Sequence, residues 1–319
     1  MFTEIFARHG DIDVIVFNEV YMGGCFPDDG ASFIQILEYY GFVYHTGVVG
    51  ENNPIFPHLD NGGVFISSRW PILKWQETVY DSFVFGSADM LSAKGAMYAS
   101  VEKSAYGVTA TYHILGTHLQ NGNNRRVFAK VREKQAAQMH RLMLEQKIPK
   151  SEPVIFAGDL NIGYQSRYGE LEILLDILSA TMPPIVGSIN CTHDYQNNDI
   201  LAPSQRTSEW IDYALYSHAH RLPVTASQEA IKYVAAEPFT VCMDKIRLFG
   251  GYRYPYQCDE TKVITDLSDH YAVLGKFSFN DSEGIFYKSS TVPSQDSHYF
   301  DLQVRARLFD HFIKVNVTI

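Results

Sequence analysis

The sequence predicts an α/β fold built from stacked layers with mixed β-sheets. Short apolar segments rich in β-branched residues alternate with amphipathic stretches, a pattern typical of interleaved strands and helices. Two predicted strands, 97–102 and 109–116, follow each other directly around Gly107. Because parallel neighbours need a long crossover between them, this close succession favours mixed sheets over a purely parallel array.

The individual elements follow from local patterns along the chain. The run 12–17 is short, β-branched and bounded by turn formers, so it predicts a buried strand. The best helix is predicted at 126–147, where an apolar stripe that includes Val127 and Met139 opposes a charged face. Further helices are predicted at 2–6, 169–179 and after Asp28 or Asp29, the last with Phe33, Ile36, Leu37 and Tyr40 on one face; further strands are predicted at 63–67, 154–157, 211–217 and 271–277.

Composition narrows the class of protein. The chain has 319 residues, of which 46% are hydrophobic and 19% charged, which excludes a disordered or collagen-like chain. The net charge of −10 provides no global attraction for nucleic acid, so we expect no nucleic-acid partner, although a local phosphate site stays compatible with it. The N-terminus lacks a basic start followed by an apolar core, so no signal peptide is predicted in this chain.

The four cysteines give no metal motif. Cys25, Cys191, Cys242 and Cys258 form no CxxC pair, which argues against a structural zinc site. A local disulfide between Cys242 and Cys258 and free buried thiols are both compatible with this spacing.

Several apolar segments end abruptly in polar residues, and strand ends in layered folds open onto one rim. Oxygen donors without thiolates suit a hard cation such as Mg²⁺, and histidines supply proton acceptors and donors near neutral pH. A hard cation beside a His–Asp pair is typical of metal-assisted hydrolysis of a phosphate ester. The candidate oxygen donors are Glu19, Asp159, Asn161 and Asp269; the candidate proton-transfer residues are His118, Asp212 and His270.

The order of these motifs resembles the endonuclease/exonuclease/phosphatase superfamily over about residues 1–277. The resemblance rests on Asn18-Glu19, Gly116-Thr117-His118-Leu119-Gln120, Gly158-Asp159-Leu160-Asn161, Ile211-Asp212-Tyr213 and Ser268-Asp269-His270-Tyr271. Three further features are similar to neutral sphingomyelinases of the secreted bacterial type: Asn61-Gly62-Gly63-Val64 followed by Ser68-Arg69-Trp70-Pro71-Ile72, Leu91-Ser92-Ala93-Lys94-Gly95, and the Thr-His-x-Gln form of the histidine motif.

This resemblance implies a DNase-like, four-layer α/β/β/α sandwich that splits sphingomyelin into ceramide and phosphocholine. His270 would be the general base, oriented by Asp212, and His118 would stabilise the phosphate or protonate the leaving alkoxide. The remaining implied roles are Mg²⁺ binding, with Mn²⁺ or Co²⁺ as alternatives, by Glu19, Asp159, Asn161 and Asp269; positioning of water or phosphate oxygens by Asp159 and Asn161; and substrate binding by Lys94 and Asn61.

One departure concerns the first strand of this superfamily, which precedes the Glu motif and carries an Asn metal ligand. Only a short predicted helix precedes residue 12 here, so we expect that strand to be missing, its neighbours to expose unpaired ladder groups, and Mg²⁺ binding and activity to be weak. Residues 1–277 are expected to form the catalytic domain and 278–319 an added β element of unknown role.

The resemblance also suggests a membrane surface as the partner. The segment 246–256 is predicted to form an aromatic hairpin around Gly250-Gly251, which suits a bilayer interface, and a packed hairpin is the alternative. We expect a monomer that is secreted or peripherally bound to a membrane. Two other functions stay open: a nuclease or inositol-phosphate phosphatase on the same fold, and a catalytically impaired relative that binds lipid or a partner.

Overall fold

Two β-sheets pack face to face in the computed structural model, and helices cover their outer surfaces. The structure describes residues 10–21, 30–51, 58–105, 108–122, 126–166, 169–201, 208–242, 261–279 and 311–318. The described helices are α1 (Gly30–Tyr39), α2 (Arg126–Glu145) and α3 (Glu170–Leu178), and a 3₁₀ turn covers Ala88–Leu91. The described strands are β1 (Val14–Phe17), β2 (Tyr44–His45), β3 (Asp60–Asn61), β4 (Phe65–Ser68), β5 (Ile72–Val79), β6 (Ser92–Ala93), β7 (Gly95–Ala105), β8 (Val108–His118), β9 (Val154–Asp159), β10 (Ala180–Thr181), β11 (Ile185–Val186), β12 (Asp212–Ser217), β13 (Thr225–Ile231), β14 (Val234–Cys242), β15 (Thr261–Asp266), β16 (Ala272–Phe279) and β17 (His311–Thr318).

Both large sheets are mixed, as the close succession of predicted strands indicates. One has seven strands in the order β11-β13-β16-β17-β1-β4-β2, and the other has six in the order β10-β12-β9-β8-β7-β5. Strands β7 and β8 form a long antiparallel pair. Strands β8 and β9 pair in parallel, and α2 connects them in the sequence. The strand predictions at 97–102, 109–116, 154–157, 211–217 and 271–277 are confirmed, with boundaries shifted by a few residues.

The layers follow from where the apolar side chains lie. Val16 of β1 and Ile66 of β4 belong to one buried cluster with β7, β8 and α2, so this core fills the space between the sheets and extends under α2. A second buried cluster places Leu37 of α1 against Phe17 and Phe65 on the outer face of the seven-stranded sheet. Helices therefore cover both outer faces, and the predicted α/β/β/α layering is confirmed. Full burial of one such side chain contributes about 1.5–3 kcal/mol.

Two helix faces differ in detail from the predicted stripes. Val127, a member of the apolar stripe predicted for α2, is 53% exposed, and Ile36 of α1 is 41% exposed. The buried face of α2 instead includes Arg132, whose Nε lies 2.6 Å from Oε1 of Glu170 on α3. The buried face of α2 therefore combines the predicted apolar contact at Met139 with an ion pair to α3 that periodicity did not predict.

The C-terminal strand lies inside the seven-stranded sheet. β17 pairs in parallel with β1, opposite Val14–Phe17, and antiparallel with β16 on its other side. β1 and β16 therefore both have a paired neighbour at this position, and the expected exposure of their ladder groups is not observed. Residues 311–318 belong to the sheet that carries Glu19, while residues 280–310 lie outside the described residues.

Some expectations fall wholly or partly outside the described part of the chain. The helix predicted at 2–6, the caps at Asp28 and Asp29, and the 246–256 hairpin are among them, as are Cys25 and Cys258. Cys191 is a free, buried thiol. Among the described helices, none combines the length and the apolar character that a transmembrane segment requires.

Candidate active site

Three predicted site residues stand side by side at the end of the six-stranded sheet. The register pairs Asp159, the last residue of β9, with His118 on one side and with Asp212 on the other. All three side chains are buried. Residues separated by up to 94 positions in sequence therefore meet because three strands end at the same rim, as the sequence analysis predicted.

Asn18 joins the other sheet to this rim. Its side-chain amide donates to the carbonyl of Thr117 at 3.0 Å and its oxygen accepts from the backbone N–H of Asp159 at 3.1 Å. The residue is 1% exposed. Asn18 therefore links the end of β1 to the ends of β8 and β9. The sequence analysis assigned no role to this residue.

Glu19, next to this bridge, has a strained backbone. Its φ is +57°, a left-handed conformation that non-glycine residues rarely adopt and that often occurs at functional sites. Its Oε1 atom lies 3.9 Å from His118 Nε2, and the side chain is half exposed at the mouth of the site. Partial burial, and then the nearby charge of Asp269, raise the pKa of Glu19.

Two glycines make this conformation possible. A β-carbon on Gly63 would lie 2.8 Å from the α-carbon of Glu19, and one on Gly62 would overlap the carbonyl oxygen of Ala93. The Gly63 carbonyl also accepts a hydrogen bond from Val20 N–H at 2.9 Å. Only glycine fits at positions 62 and 63. The Asn61-Gly62-Gly63 motif, which we call the spacer, therefore allows close contact with Glu19 on one side and Ala93 on the other.

Asn61 itself forms local hydrogen bonds. Its Oδ1 accepts from Gly63 N–H at 2.9 Å, and its carbonyl accepts from Ser92 Oγ at 2.8 Å. These bonds hold the spacer against β6, next to Lys94. A direct role of Asn61 in substrate binding, as the resemblance implies, stays a prediction.

Asp159 and Asn161 form one hydrogen-bonded unit. Asp159 Oδ1 accepts from Asn161 N–H at 2.7 Å and Oδ2 accepts from Asn161 Nδ2 at 3.0 Å. Asn161 Nδ2 also donates to the Leu119 carbonyl at 3.1 Å, and its φ of +51° is left-handed. Burial, and then the neighbouring Asp212 charge, raise the pKa of Asp159 to about 8.

His270 is oriented by Asp212. Nδ1 of His270 lies 3.0 Å from Asp212 Oδ2, which fixes the tautomer with the proton on Nδ1 and leaves Nε2 for other partners. Burial by itself lowers the pKa of His270, but the charge of Asp212 outweighs it, with contributions from Asp159 and Asp269, and raises the pKa to about 10.

A buried cation faces the other histidine. Lys94 Nζ lies 2.9 Å from His118 Nε2 and donates to the Leu119 carbonyl at 3.0 Å. Burial, followed by the charge of Lys94, holds the pKa of His118 well below its usual range, so this imidazole is neutral and accepts a hydrogen bond from the ammonium. Lys94 also forms an ion pair with Asp89 at 3.0 Å. The sequence analysis missed Asp89, which has no strand-end signal because it lies in a 3₁₀ turn.

Two groups among the described residues have donor atoms close enough to hold a metal ion: Asp159, Asp212 and His270; and His193, Asp269 and His270. His193 was not singled out from the sequence. The rim concentrates carboxylates, and the mutual charge of Glu19 and Asp269 raises the pKa of Glu19. A divalent cation would relieve this repulsion, and the carboxylate and amide oxygens fit a hard cation.

Comparison with known proteins identifies a matching family and related chains. A model described as the Endonuclease/Exonuclease/phosphatase family matches residues 2–270. Sphingomyelinase C from Leptospira interrogans is 30% identical over 285 residues, covering 85% of this chain but only 45% of the relative, so the chain spans less than half of that protein. Sphingomyelinase C from Listeria ivanovii is 26% identical over 279 residues, 82% of this chain and 74% of the relative.

A solved structure shows the same fold. A mutant of the beta toxin from Staphylococcus aureus, crystallised with bound magnesium ions, matches with a TM-score of 0.66 and 27% identity. The match covers 82% of this chain and 85% of the toxin chain. Together with the layers described above, this match confirms the predicted sandwich fold.

Proposed function

The chain belongs to the endonuclease/exonuclease/phosphatase family, and on this basis we propose that it is a Mg²⁺-dependent phosphodiesterase that hydrolyses sphingomyelin to ceramide and phosphocholine. The observation that carries the proposal is the arrangement of two histidines at one rim. His270 is oriented by Asp212 at 3.0 Å, and His118 is paired with the buried cation Lys94 at 2.9 Å. Asp159 lies between His118 and Asp212 in the strand register.

The metal would be held by oxygen donors at the mouth of the site. Glu19, Asp159, Asn161 and Asp269 supply carboxylate and amide oxygens, and Mg²⁺ prefers such ligands over nitrogen or sulfur. When bound, the cation would neutralise charge on the phosphate and on the attacking oxygen. Burial first, and then the charge of a neighbouring carboxylate, raises the pKa of Glu19 and of Asp159, and a bound cation would stabilise their charged forms.

His270 is the proposed general base. It donates Nδ1–H to Asp212, and its pKa of about 10 keeps Nε2 protonated at neutral pH while the carboxylates of the rim have no cation. A divalent cation at those carboxylates would lower this pKa, so that Nε2 could take a proton from the attacking water. As the proton moves to Nε2, the water oxygen forms a bond to phosphorus and the bond from phosphorus to the ceramide oxygen breaks. Asp212 then stabilises the imidazolium that forms.

Lys94 and His118 stabilise the charge on the phosphate group of the substrate. Because the pKa of His118 is well below its usual range, this imidazole does not store a proton at neutral pH. The positive charge next to it is the Lys94 ammonium, which is 5% exposed and held by Asp89. We therefore assign charge stabilisation of the phosphate to the Lys94–His118 pair. The departing ceramide oxygen takes one proton from solvent, and His270 returns its proton to solvent after the reaction.

The assignment of sphingomyelin as the substrate depends on the names of the relatives and on the sequence element that contains Lys94. Two relatives carry the name sphingomyelinase C, and the chain keeps the Ser92-Ala93-Lys94-Gly95 element that favours this class over nucleases. Since sphingomyelin is a membrane lipid, we also propose that the protein is secreted or peripherally bound and acts at a membrane surface. β14 and β15 pair as a ribbon, and the segment 246–256, which follows β14 in the sequence and lies outside the described residues, is the proposed docking segment.

A substrate panel tests the proposal. Sphingomyelin, a lysophospholipid, plasmid DNA and inositol phosphates are assayed with Mg²⁺ and with EDTA, for the wild type, His270→Ala and His218→Ala. His218 is exposed and serves as the matched control. We expect sphingomyelin cleavage that is lost in EDTA and in His270→Ala but kept in His218→Ala. Cleavage of DNA or inositol phosphates instead, or activity that survives chelation, would contradict the proposal.

A further inference from the structure

Gln120, the last residue of the Thr-His-x-Gln motif, is completely buried and has no part in the mechanism above. Its side chain contacts the segment 84–89 at three positions. Oε1 accepts from Val84 N–H at 2.9 Å, and Nε2 donates to Ser87 Oγ at 3.4 Å and to Asp89 Oδ2 at 2.9 Å. One amide group therefore holds the segment that carries Asp89, the ion-pair partner of Lys94.

Asp89 depends on hydrogen bonds for its position. It lies in the 3₁₀ turn Ala88–Leu91, in which no residue is buried, so apolar packing contributes little to fixing the turn. Its Oδ2 accepts from Asn121 N–H at 2.5 Å as well as from Gln120 Nε2, and it lies 3.0 Å from Lys94 Nζ. Gln120 and Asn121 therefore place the carboxylate oxygen that the ammonium contacts.

The Lys94 ammonium has a partner for each of its three donors. Nζ lies 2.9 Å from His118 Nε2, 3.0 Å from the Leu119 carbonyl oxygen and 3.0 Å from Asp89 Oδ2. The side chain is 6% exposed, so water does not readily replace a lost partner. A displacement of Asp89 would therefore displace the ammonium relative to His118.

The backbone of Gln120 is anchored to α2. Its N–H donates to Gln135 Oε1 at 2.8 Å, and its carbonyl accepts from Arg132 Nη1 at 3.0 Å. Arg132 is held in turn by two bonds to the carboxylate of Glu170 on α3, at 2.6 and 3.1 Å. The buried ion pair between the two helices therefore continues, through Gln120 and Asp89, to the cation of the proposed site.

From these contacts we infer that Gln120 is a positioning residue, which holds the Lys94 ammonium beside His118 through Asp89. The inference rests on the proposed function, because it identifies what keeps the phosphate-stabilising cation in place. A charge that acts on the transition state more than on the bound substrate affects kcat rather than KM. Loss of the Gln120 amide should therefore lower kcat and leave KM near wild type.

The position of Lys94 is tested first, without any assay of activity. Exchange of its Nζ protons with water is measured by NMR for wild type, Gln120→Met and the control Gln228→Met, and the signal is identified by its absence in Lys94→Arg. Gln228 is also completely buried, and its side chain bonds the N–H of Ala214 and the carbonyl of Pro183. Thermal unfolding should show a similar loss of stability in both glutamine variants. We expect exchange at least about tenfold faster in Gln120→Met only, because a hydrogen bond to a charged group is lost there.

A double-mutant cycle on sphingomyelin hydrolysis then tests the link to turnover. Gln120→Met should lower kcat about tenfold in the wild type, but less than about twofold in Lys94→Met, because the cation through which it acts is already missing. Equal losses in the two backgrounds, or unchanged exchange of the Nζ protons in Gln120→Met, would overturn the inference. If the wild type hydrolyses no sphingomyelin but Gln120→Met speeds this exchange, the positioning role stands and the proposed function fails.

Discussion

Asp212 Oδ2 lies 3.0 Å from Nδ1 of His270, and in the sheet register Asp212 stands directly opposite Asp159. One buried carboxylate thus contacts the proposed base and faces a proposed metal ligand. Its charge outweighs the effect of burial on His270 and raises that pKa to about 10, and it adds to burial in raising the pKa of Asp159 to about 8. The protonation states of the base and of the metal ligand are therefore coupled through one side chain.

Replacing Asp212 with Asn tests this coupling. Loss of the charge should lower the pKa of His270 and of Asp159, because Asp212 raises both. The pKa of His270 is measured by NMR titration of its ring proton. Turnover should fall about 10²–10⁴-fold, the usual contribution of general acid–base catalysis. An unchanged His270 pKa with normal turnover would show that Asp212 does not orient the base.

Gly63→Ala should weaken Mg²⁺ binding by displacing Glu19. The added β-carbon would lie 2.8 Å from the Glu19 α-carbon, and the φ of Gly63 is +69°. Gly86→Ala is the matched control, since Gly86 has a φ of +81° but its β-carbon would meet nothing within 4 Å. Both variants should lose about 1–2 kcal/mol of stability from the left-handed backbone.

Only Gly63→Ala should then require a higher Mg²⁺ concentration for half-maximal turnover. The two variants are compared by Mg²⁺ titration and by urea denaturation. Equal Mg²⁺ requirements in the two variants would mean that the spacer affects stability but does not position the Glu19 carboxylate.

Lys94 and Asp89 offer a double-mutant test. Lys94→Met leaves the Asp89 carboxylate without its ion-pair partner, and breaking a buried pair costs about 3–5 kcal/mol. The double variant Lys94→Met with Asp89→Asn should regain much of this stability, measured by urea denaturation. Its turnover should stay low, because the cation beside His118 is still missing. Recovery of turnover in the double variant would show that Lys94 only neutralises Asp89.

His113 has no role in the proposed site, and it should make the free energy of unfolding depend on pH. Its Nδ1 lies 2.7 Å from the Tyr98 hydroxyl and its Nε2 lies 2.6 Å from Glu152 Oε2. Burial lowers the pKa of His113, against the opposing effect of Glu152. The unfolded chain therefore binds a proton more readily than the folded protein, so this contribution to stability is lost as the pH falls below about 6.5.

The measurement is the free energy of unfolding at about pH 7 and about pH 5, for wild type, His113→Gln and the exposed control His218→Gln. His113→Gln should show a smaller decrease in stability between the two pH values, although it loses hydrogen bonds at both. An identical decrease in His113→Gln and wild type would exclude His113 as the source.

Much of the rim was predictable because it depends on local patterns. An apolar run that ends in polar residues marked the strand ends at Glu19, His118 and Asp159. Asp212 and His270 were also singled out, but Asp212 begins β12 and His270 precedes β16, so both lie at strand starts.

The remaining features depend on contacts that carry no local signal. The parallel pairing of β17 with β1 joins residues near opposite ends of the chain. Arg132 is buried because Glu170 on another helix satisfies it, and periodicity does not reveal such a partner. His193 and Asp89 lie in bridge and 3₁₀ segments, where neither strand nor helix patterns apply.

The central claim is that side chains from Glu19 to His270 surround one divalent cation. Mn²⁺ replaces Mg²⁺ as a paramagnetic probe, and its effect on the histidine ring resonances is measured by NMR. We predict strong broadening of the His118 and His270 signals at low Mn²⁺, with His218 unaffected, and loss of this broadening in Glu19→Gln. Sharp His118 and His270 signals at Mn²⁺ saturation, or broadening that Glu19→Gln leaves unchanged, would contradict the account.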